Sequence, residues 1–163
     1  MEIEGILNAG KNGSMTPEKA KELLTEQGFL DMEFAKIDTS REERTGIPEV
    51  IFGEGKSSEQ LSQIAKQMLD KGKDILITRC SLEMYEDIKH VVPDATYNAL
   101  ARTISYRQTP IHLTNTYICV VTAGTSDIPV AEEAAVTAEF LGNKVERVFD
   151  VGVAGIHRLF ARM

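Results

Sequence analysis

The residues best suited to chemistry are a small polar set, Ala123-Gly124-Thr125-Ser126-Asp127. An apolar run from Tyr117 to Val121 precedes them and reads as a buried strand. A run of helix formers, Val130 to Leu141, follows, and Gly142 stops it. Pro129 suits a first helical turn, and Asp127 suits an N-cap. A strand, a turn and a helix in this order point backbone N–H groups and a positive dipole end into the turn. The guest such a turn suits is an anion, most often a phosphate. The plainer alternative is that Thr125, Ser126 and Asp127 only cap the helix. A second strand, Lys144 to Phe149, runs into Asp150-Val151-Gly152-Val153-Ala154-Gly155 and a helix start at Ile156-His157-Arg158. Gly152, Val153, Ala154 and Gly155 are a fragment of a dinucleotide-type loop. Two strand ends, each meeting a glycine-bearing turn and a helix, make the crevice where open α/β sheets bind ligands.

Other candidates carry less. Gly53-Glu54-Gly55-Lys56-Ser57 sits between a strand and a helix, but a P-loop would need glycine where Val50 stands. Lys56 can still hold one anion at the helix start, or be solvated. Arg41 and Arg44, interleaved with Glu42 and Glu43, offer planar forks for a phosphate or carboxylate, and equally a self-paired surface loop. His90, His112 and His157 stand far apart, and no Cys-x-x-Cys exists, so no protein-held metal is expected. Cys80 reads as strand-end packing and Cys119 as core. No nucleophile-elbow or triad motif is present.

The elements that position these residues form an α/β chain. Thr16-Pro17 opens a helix that Gly28 closes, and Met32 to Ile37 reads as a strand. Glu49 to Thr78 reads as a βαβ unit, with capping-box spacing at Ser57 and Gln60. Ser81 caps another helix, and Ala95 to Tyr106 supplies one or two edge strands. Residues 1–106 are expected to form a small N-terminal α/β domain, 107–116 a linker, and 117–163 the β-α-β-α beginning of a second domain. That last piece cannot cover both faces of a parallel sheet by itself. With 163 residues and 42% hydrophobic residues, a packed core is expected. A net charge of −7 argues against a nucleic-acid partner but not against a small nucleotide. No run approaches the roughly 20 apolar residues of a membrane span. The two cysteines in apolar runs and a start without signal-peptide character point to the cytoplasm.

Three motifs in order carry a resemblance. They are Phe34-Ala-Lys-Ile-Asp38 with Arg41-x-x-Arg44-Thr-Gly46-Ile-Pro48-Glu49-Val-Ile-Phe-Gly53-Glu-Gly55-Lys56, then Val121-Thr-Ala-Gly-Thr-Ser126-Asp127-Ile-Pro129-Val-Ala-Glu132-Glu133, then Asp150-Val-Gly152-Val-Ala-Gly155-Ile-His157-Arg158. Over about residues 32–163 the chain resembles the LarB family of nickel-pincer cofactor biosynthesis, whose carboxylase domain is similar to the purine-pathway aminoimidazole ribonucleotide carboxylase PurE. The resemblance implies a three-layer, parallel-sheet second domain. It implies carboxylation of the pyridinium ring of nicotinic acid adenine dinucleotide with carbon dioxide or bicarbonate, and hydrolysis of its phosphoanhydride with release of AMP. It further implies magnesium carried on substrate phosphates, symmetric homo-oligomers, and a nucleotide pocket lined by Ala123 to Asp127 and Gly152 to Gly155. Arg41, Arg44 and Lys56 fall in the family's first motif as candidate anion binders. The purine carboxylases carry Ser-Ala-His-Arg straight after their second strand, whereas His157-Arg158 comes later here, so no general-acid role is carried to His157. Family members continue well beyond the equivalent of Met163 and bear a nucleophilic cysteine there. Neither Cys80 nor Cys119 matches it, so the chain is expected to be truncated, without an assigned catalytic residue, and inactive alone. The alternatives are an aminoimidazole ribonucleotide carboxylase or mutase, and a non-catalytic assembly fragment.

Overall fold

Local signals set most of the helix ends in the computed structural model, which describes residues 3–161. The chain divides between Glu49 and Val50 into two units, and its architecture is mixed α/β with parallel and antiparallel strand pairs.

In the first unit, α1 (Ile3–Lys11) packs against α2 (Pro17–Gly28), with Ile6 buried on α1. Thr16 caps α2 by accepting the Lys19 N–H at 3.3 Å, and Pro17 occupies the first turn, where its missing donor costs nothing. The run from Met32 to Ile37 is not one strand, as its composition suggested. The chain reverses at Glu33, which has φ 65° and donates its N–H to Asp31 Oδ1 at 3.0 Å. An antiparallel pair results, β1 (Leu30–Asp31) with β2 (Lys36–Ile37). The charged segment that follows holds a short helix, α3 (Arg41–Thr45), ended by Gly46 in the left-handed region.

The second unit begins with the βαβ unit the sequence predicted: β3 (Ile51–Phe52), α4 (Ser58–Asp70) and β4 (Ile75–Thr78), with β3 parallel to β4. Ser57 and Gln60 form the capping box, bonded reciprocally at 3.2 and 3.0 Å. Leu61, Ile64, Ala65 and Met68 form the buried face of α4. Next comes α5 (Leu82–Lys89), capped by Ser81, and then the antiparallel pair β5 (Thr96–Asn98) and β6 (Thr103–Tyr106). Sheet order is β3-β4-β6-β5, so β5 lies at the edge while β6 is interior. Every residue of β4 is buried, which requires cover on both faces.

The connection after β6 is anchored at its start. Asp74, 8% exposed, accepts the N–H groups of Gln108 (2.7 Å) and Thr109 (3.1 Å) and the Thr109 hydroxyl (2.6 Å), and pairs with Arg107 at 3.2 Å. Arg107 also donates to the Phe140 carbonyl and lies over the Phe140 ring. Beyond it, β7 (Tyr117–Val121) and β8 (Lys144–Val148) form a separate parallel pair. Between them runs α6 (Ile128–Phe140), which packs against β7 and β8 and also against β4 and β6. Its apolar residues, Ile128, Val130, Ala131, Ala135 and Phe140 among them, lie on several sides, as a helix shared by two sheets requires.

The strand β7 is correctly placed by the sequence but is not buried. Tyr117, Ile118, Cys119 and Val121 are exposed, so Cys119 is not a core residue. Side chains alternate along a strand. With α6 on one face of this two-stranded sheet, the other face, bearing Tyr117, Cys119 and Val121, has no described helix packed closely on it. Among the described residues no helix is long and apolar enough to cross a membrane.

Candidate functional site

At the carboxyl ends of β7 and β8 the two glycine-bearing turns lie side by side and are bonded to each other. The Thr122 N–H donates to the Val148 carbonyl at 3.1 Å, and the Asp150 N–H to Thr122 Oγ1 at 3.0 Å. The Val151 N–H then meets the Thr122 carbonyl at 3.0 Å, and the Gly152 N–H the Ala123 carbonyl at 2.9 Å. Thr122, 6% exposed, is therefore the pivot of the joint. Sequence reasoning overlooked it, although a hydroxyl at the last residue before a polar turn is the available signal. A Cβ on Gly152 would stand 2.7 Å from the Ala123 carbonyl oxygen, so glycine is required there by the neighbouring turn itself.

The Thr125–Asp127 segment makes a single 3-10 turn before α6 starts at Ile128. Asp127 occupies the cap position, but its carboxylate turns back to accept the Gly124 N–H at 3.1 Å and gives no side-chain cap to α6. Ala123, Thr125, Ser126 and Asp127 are exposed. Gly124 has φ −125°, and a Cβ there would meet nothing closer than Asp127 Oδ2 at 3.7 Å. Nothing among the described residues demands glycine at that position. In the second turn Val153 and Ala154 are exposed and Gly155 is buried. Asp150, at φ 59°, pairs with Arg158 at 2.7 Å, and a Cβ on Gly155 would press on Arg158 Nε at 2.8 Å. His157 is exposed at the start of the four-residue helix α7 (His157–Phe160).

The remaining candidates are engaged where they stand. In the first unit Arg44 pairs with Asp38 and donates to Ser40 Oγ at 3.3 Å, while Arg41 lies 3.7 Å from Glu49. The hydrogen bond from Arg44 holds the Asp38 carboxyl below its usual range, whereas burial raises that of Glu49. In the second unit Lys56 donates to the Phe52 carbonyl at 2.7 Å. Cys80 is buried, and burial pushes its thiol up to about 11. Among the described residues no group of three or more His, Cys, Asp or Glu could hold a metal ion. A shallow groove of about 540 Å³ runs beside α6, lined by Thr78, Ile118, Val130, Glu133 and Thr137, but its walls are mainly apolar and none of the candidate turn residues lines it.

Two consecutive glutamates on α6 tie that helix to both sheets. Glu133 lies 2.6 Å from Arg79 Nε at the end of β4. Glu132 accepts from Arg147 of β8 at 2.8 and 3.1 Å and from Asn98 of β5 at 3.4 Å. Arg147 also bonds Glu139 at 2.5 and 2.8 Å, which lowers the Glu139 carboxyl and raises the guanidinium.

The scaffold is thus a mixed α/β one, with paired turns at the ends of two parallel strands. Residues 29–108 match the family described as LarB/PurE-like N-terminal domain. The chain is also similar to the uncharacterized protein MJ0165 of Methanocaldococcus jannaschii, at 32% identity over 167 residues, covering 97% of this chain and 64% of that protein. The chain thus spans less than two thirds of the length of the curated relative it matches.

Proposed function

We propose that this chain forms the nucleotide-holding part of a carboxylase-hydrolase of the LarB kind, acting on nicotinic acid adenine dinucleotide. Residues 1–106 are the N-terminal domain in this reading, and 117–163 begin the PurE-like carboxylase domain. The observation that carries it is the bonded pair of turns, Thr122–Asp127 beside Asp150–Gly155, at the ends of β7 and β8. The Ile128 N–H is donated to the Thr125 carbonyl and Pro129 has none, so in this reading a phosphate oxygen meets the backbone of the Thr125–Ser126 turn ahead of α6. The space over Gly124 lets a ligand approach the backbone, and the Thr125 and Ser126 hydroxyls are exposed to bond ribose or phosphate groups.

The reaction requires a thiolate to add to the pyridinium ring, giving a dihydropyridine whose ring carbon attacks carbon dioxide. Loss of the ring proton and expulsion of the thiolate restore the aromatic ring, and water cleaves the phosphoanhydride to release AMP. Neither cysteine here suits the thiolate role: Cys80 is buried with a raised pKa, and Cys119 lies mid-strand opposite Glu146. The chain's part is therefore binding and orientation. Magnesium would travel on the substrate phosphates. The carboxylates of the turns, Asp127 and Asp150, are already engaged by the Gly124 N–H and Arg158, so the phosphates rather than these side chains would hold it. Homo-oligomeric assembly belongs to the same proposal.

Calorimetric titration with nicotinic acid adenine dinucleotide tests the reading. Saturable binding abolished by joint Ser126→Ala and Asp127→Ala replacement is the expected result. Binding untouched by that replacement refutes it, and preference for an aminoimidazole ribonucleotide transfers the site to the purine reaction.

A further inference from the structure

We propose that Arg79 is a positioning residue for the nucleotide seat, acting through Glu133 to hold the first turns of α6 against the four-stranded sheet. The proposal rests on the reading of the Thr122–Asp127 turn as that seat. Glu133 lies six positions beyond Asp127, and its Oε2 is 2.6 Å from Arg79 Nε, with only 20% of its side chain exposed. Its neighbour Glu132 is gripped from the other directions by Arg147 of β8 and Asn98 of β5. The beginning of α6 is thereby referenced to three strands outside the turn it serves.

The Arg79 end of this strut is itself fixed. On one side the Thr78 carbonyl accepts the Gly53 N–H at 2.8 Å, and on the other the Cys80 N–H donates to the Arg102 carbonyl at 2.8 Å. The Cys80 carbonyl accepts the Tyr97 hydroxyl at 3.1 Å. Gly53 fits so closely that a Cβ would stand 2.7 Å from Thr78 O and 2.9 Å from Cys80 Sγ. Between these pinned neighbours Arg79 takes φ 59°, a conformation that side-chain-bearing residues avoid and glycine accepts freely. An arginine is thus kept at a backbone position suited to glycine. Its guanidinium is ion-paired with a carboxylate on the helix that opens at the seat, the buried Nε lying close to Glu133 without being aligned for a hydrogen bond.

Backbone donors bind an anion well only if they are held in place before it arrives. Apparent affinity falls in proportion to the population of the competent arrangement, so a release that leaves about a tenth of the molecules competent weakens binding about tenfold. Removing Arg79 therefore changes the seat without removing anything that touches the ligand.

The test uses the whole chain with Arg79→Gly, Arg79→Lys, and the charge exchange Arg79→Glu with Glu133→Arg. Glycine suits φ 59°, so Arg79→Gly deletes the strut without straining the backbone. The measurements are amide hydrogen exchange without ligand and titration with nicotinic acid adenine dinucleotide. In Arg79→Gly, exchange at 122–128 rises about tenfold and the dinucleotide binds about tenfold more weakly, while β4 and β6 keep their protection. Arg79→Lys and the charge exchange restore most of both. Unchanged exchange at 122–128, or loosening spread equally through β4 and β6, overturns the proposal. If the wild-type chain binds no dinucleotide, the nucleotide reading fails by itself, and the exchange measurements still decide the strut: selective loosening of 122–128 upholds it, and none refutes it.

Discussion

Replacing Gly152 and Gly124 in turn by alanine separates the scaffold from the seat. At Gly152 the new methyl would lie 2.7 Å from the Ala123 carbonyl oxygen, 3.3 Å from its carbon and 3.5 Å from its Cα. All three are backbone atoms, so relief requires the two turns to part. Overpacking of this kind costs about 1–3 kcal/mol. Losing the Gly152 to Ala123 hydrogen bond adds about 1 kcal/mol. A total of about 2–4 kcal/mol lowers Tm by about 8–15 °C for a unit of this size. At Gly124 the methyl meets nothing closer than 3.7 Å, at a φ any residue adopts. Alanine there is expected to raise stability by about 0.4–1 kcal/mol through the unfolded state. It should nevertheless weaken dinucleotide binding by about tenfold or more, because it fills the space through which the ligand reaches the backbone. Differential scanning calorimetry and titration on both variants read the two effects apart. A Gly152→Ala protein as stable as wild type would refute the bonded pair of turns. A Gly124→Ala protein that binds unchanged would show that the ligand does not lie over that backbone.

Three further outcomes follow from the geometry. Asp74→Ala strands two backbone donors and the partly buried Arg107, and should cost about 3–5 kcal/mol in urea unfolding, with Asp74→Asn retaining part of the loss. A native thiol titration should find Cys119 reactive and Cys80 silent, the latter responding only after unfolding, because burial keeps it protonated. Glu139 has its folded pKa depressed by Arg147, so its contribution is present above the ordinary carboxylate value of 4.5 and is lost as pH falls through the lower folded value. Glu139→Gln should accordingly flatten the acid limb of the stability profile, read from unfolding midpoints in steps below about pH 5.

What could be read beforehand was local, and what could not was contact between distant segments. The Ser57–Gln60 box, Ser81 and the stop at Gly142 each act within a turn of their own position, and all appear where expected. The pair of turns after β7 and β8 was legible because glycine and small polar residues followed two strand-like runs. The break at Glu33 was not, since an acidic residue at positive φ has no strong signature in composition. The exposure of Cys119 was hidden for another reason. Five apolar residues in a row say strand, but whether a layer covers each face depends on chain far away in sequence. The contacts of Gln108 and Thr109 were hidden in the same way: both look like loop residues, yet a buried Asp74 more than thirty positions earlier holds them. The pairing of Arg79 with Glu133, and of Asn98 with Glu132, has no trace in spacing at all.

The adjacency of Glu132 and Glu133 also limits how this part of the protein can evolve. Consecutive residues on a helix point about 100° apart, which is why Glu133 can meet Arg79 while Glu132 meets Arg147 and Asn98. Substitutions elsewhere on α6 leave that division intact. A single residue inserted or deleted between Ile128 and Glu132 would rotate both carboxylates by the same angle, handing each arginine the wrong surface. Sequence drift along this helix is therefore expected to proceed by exchange of side chains at constant length.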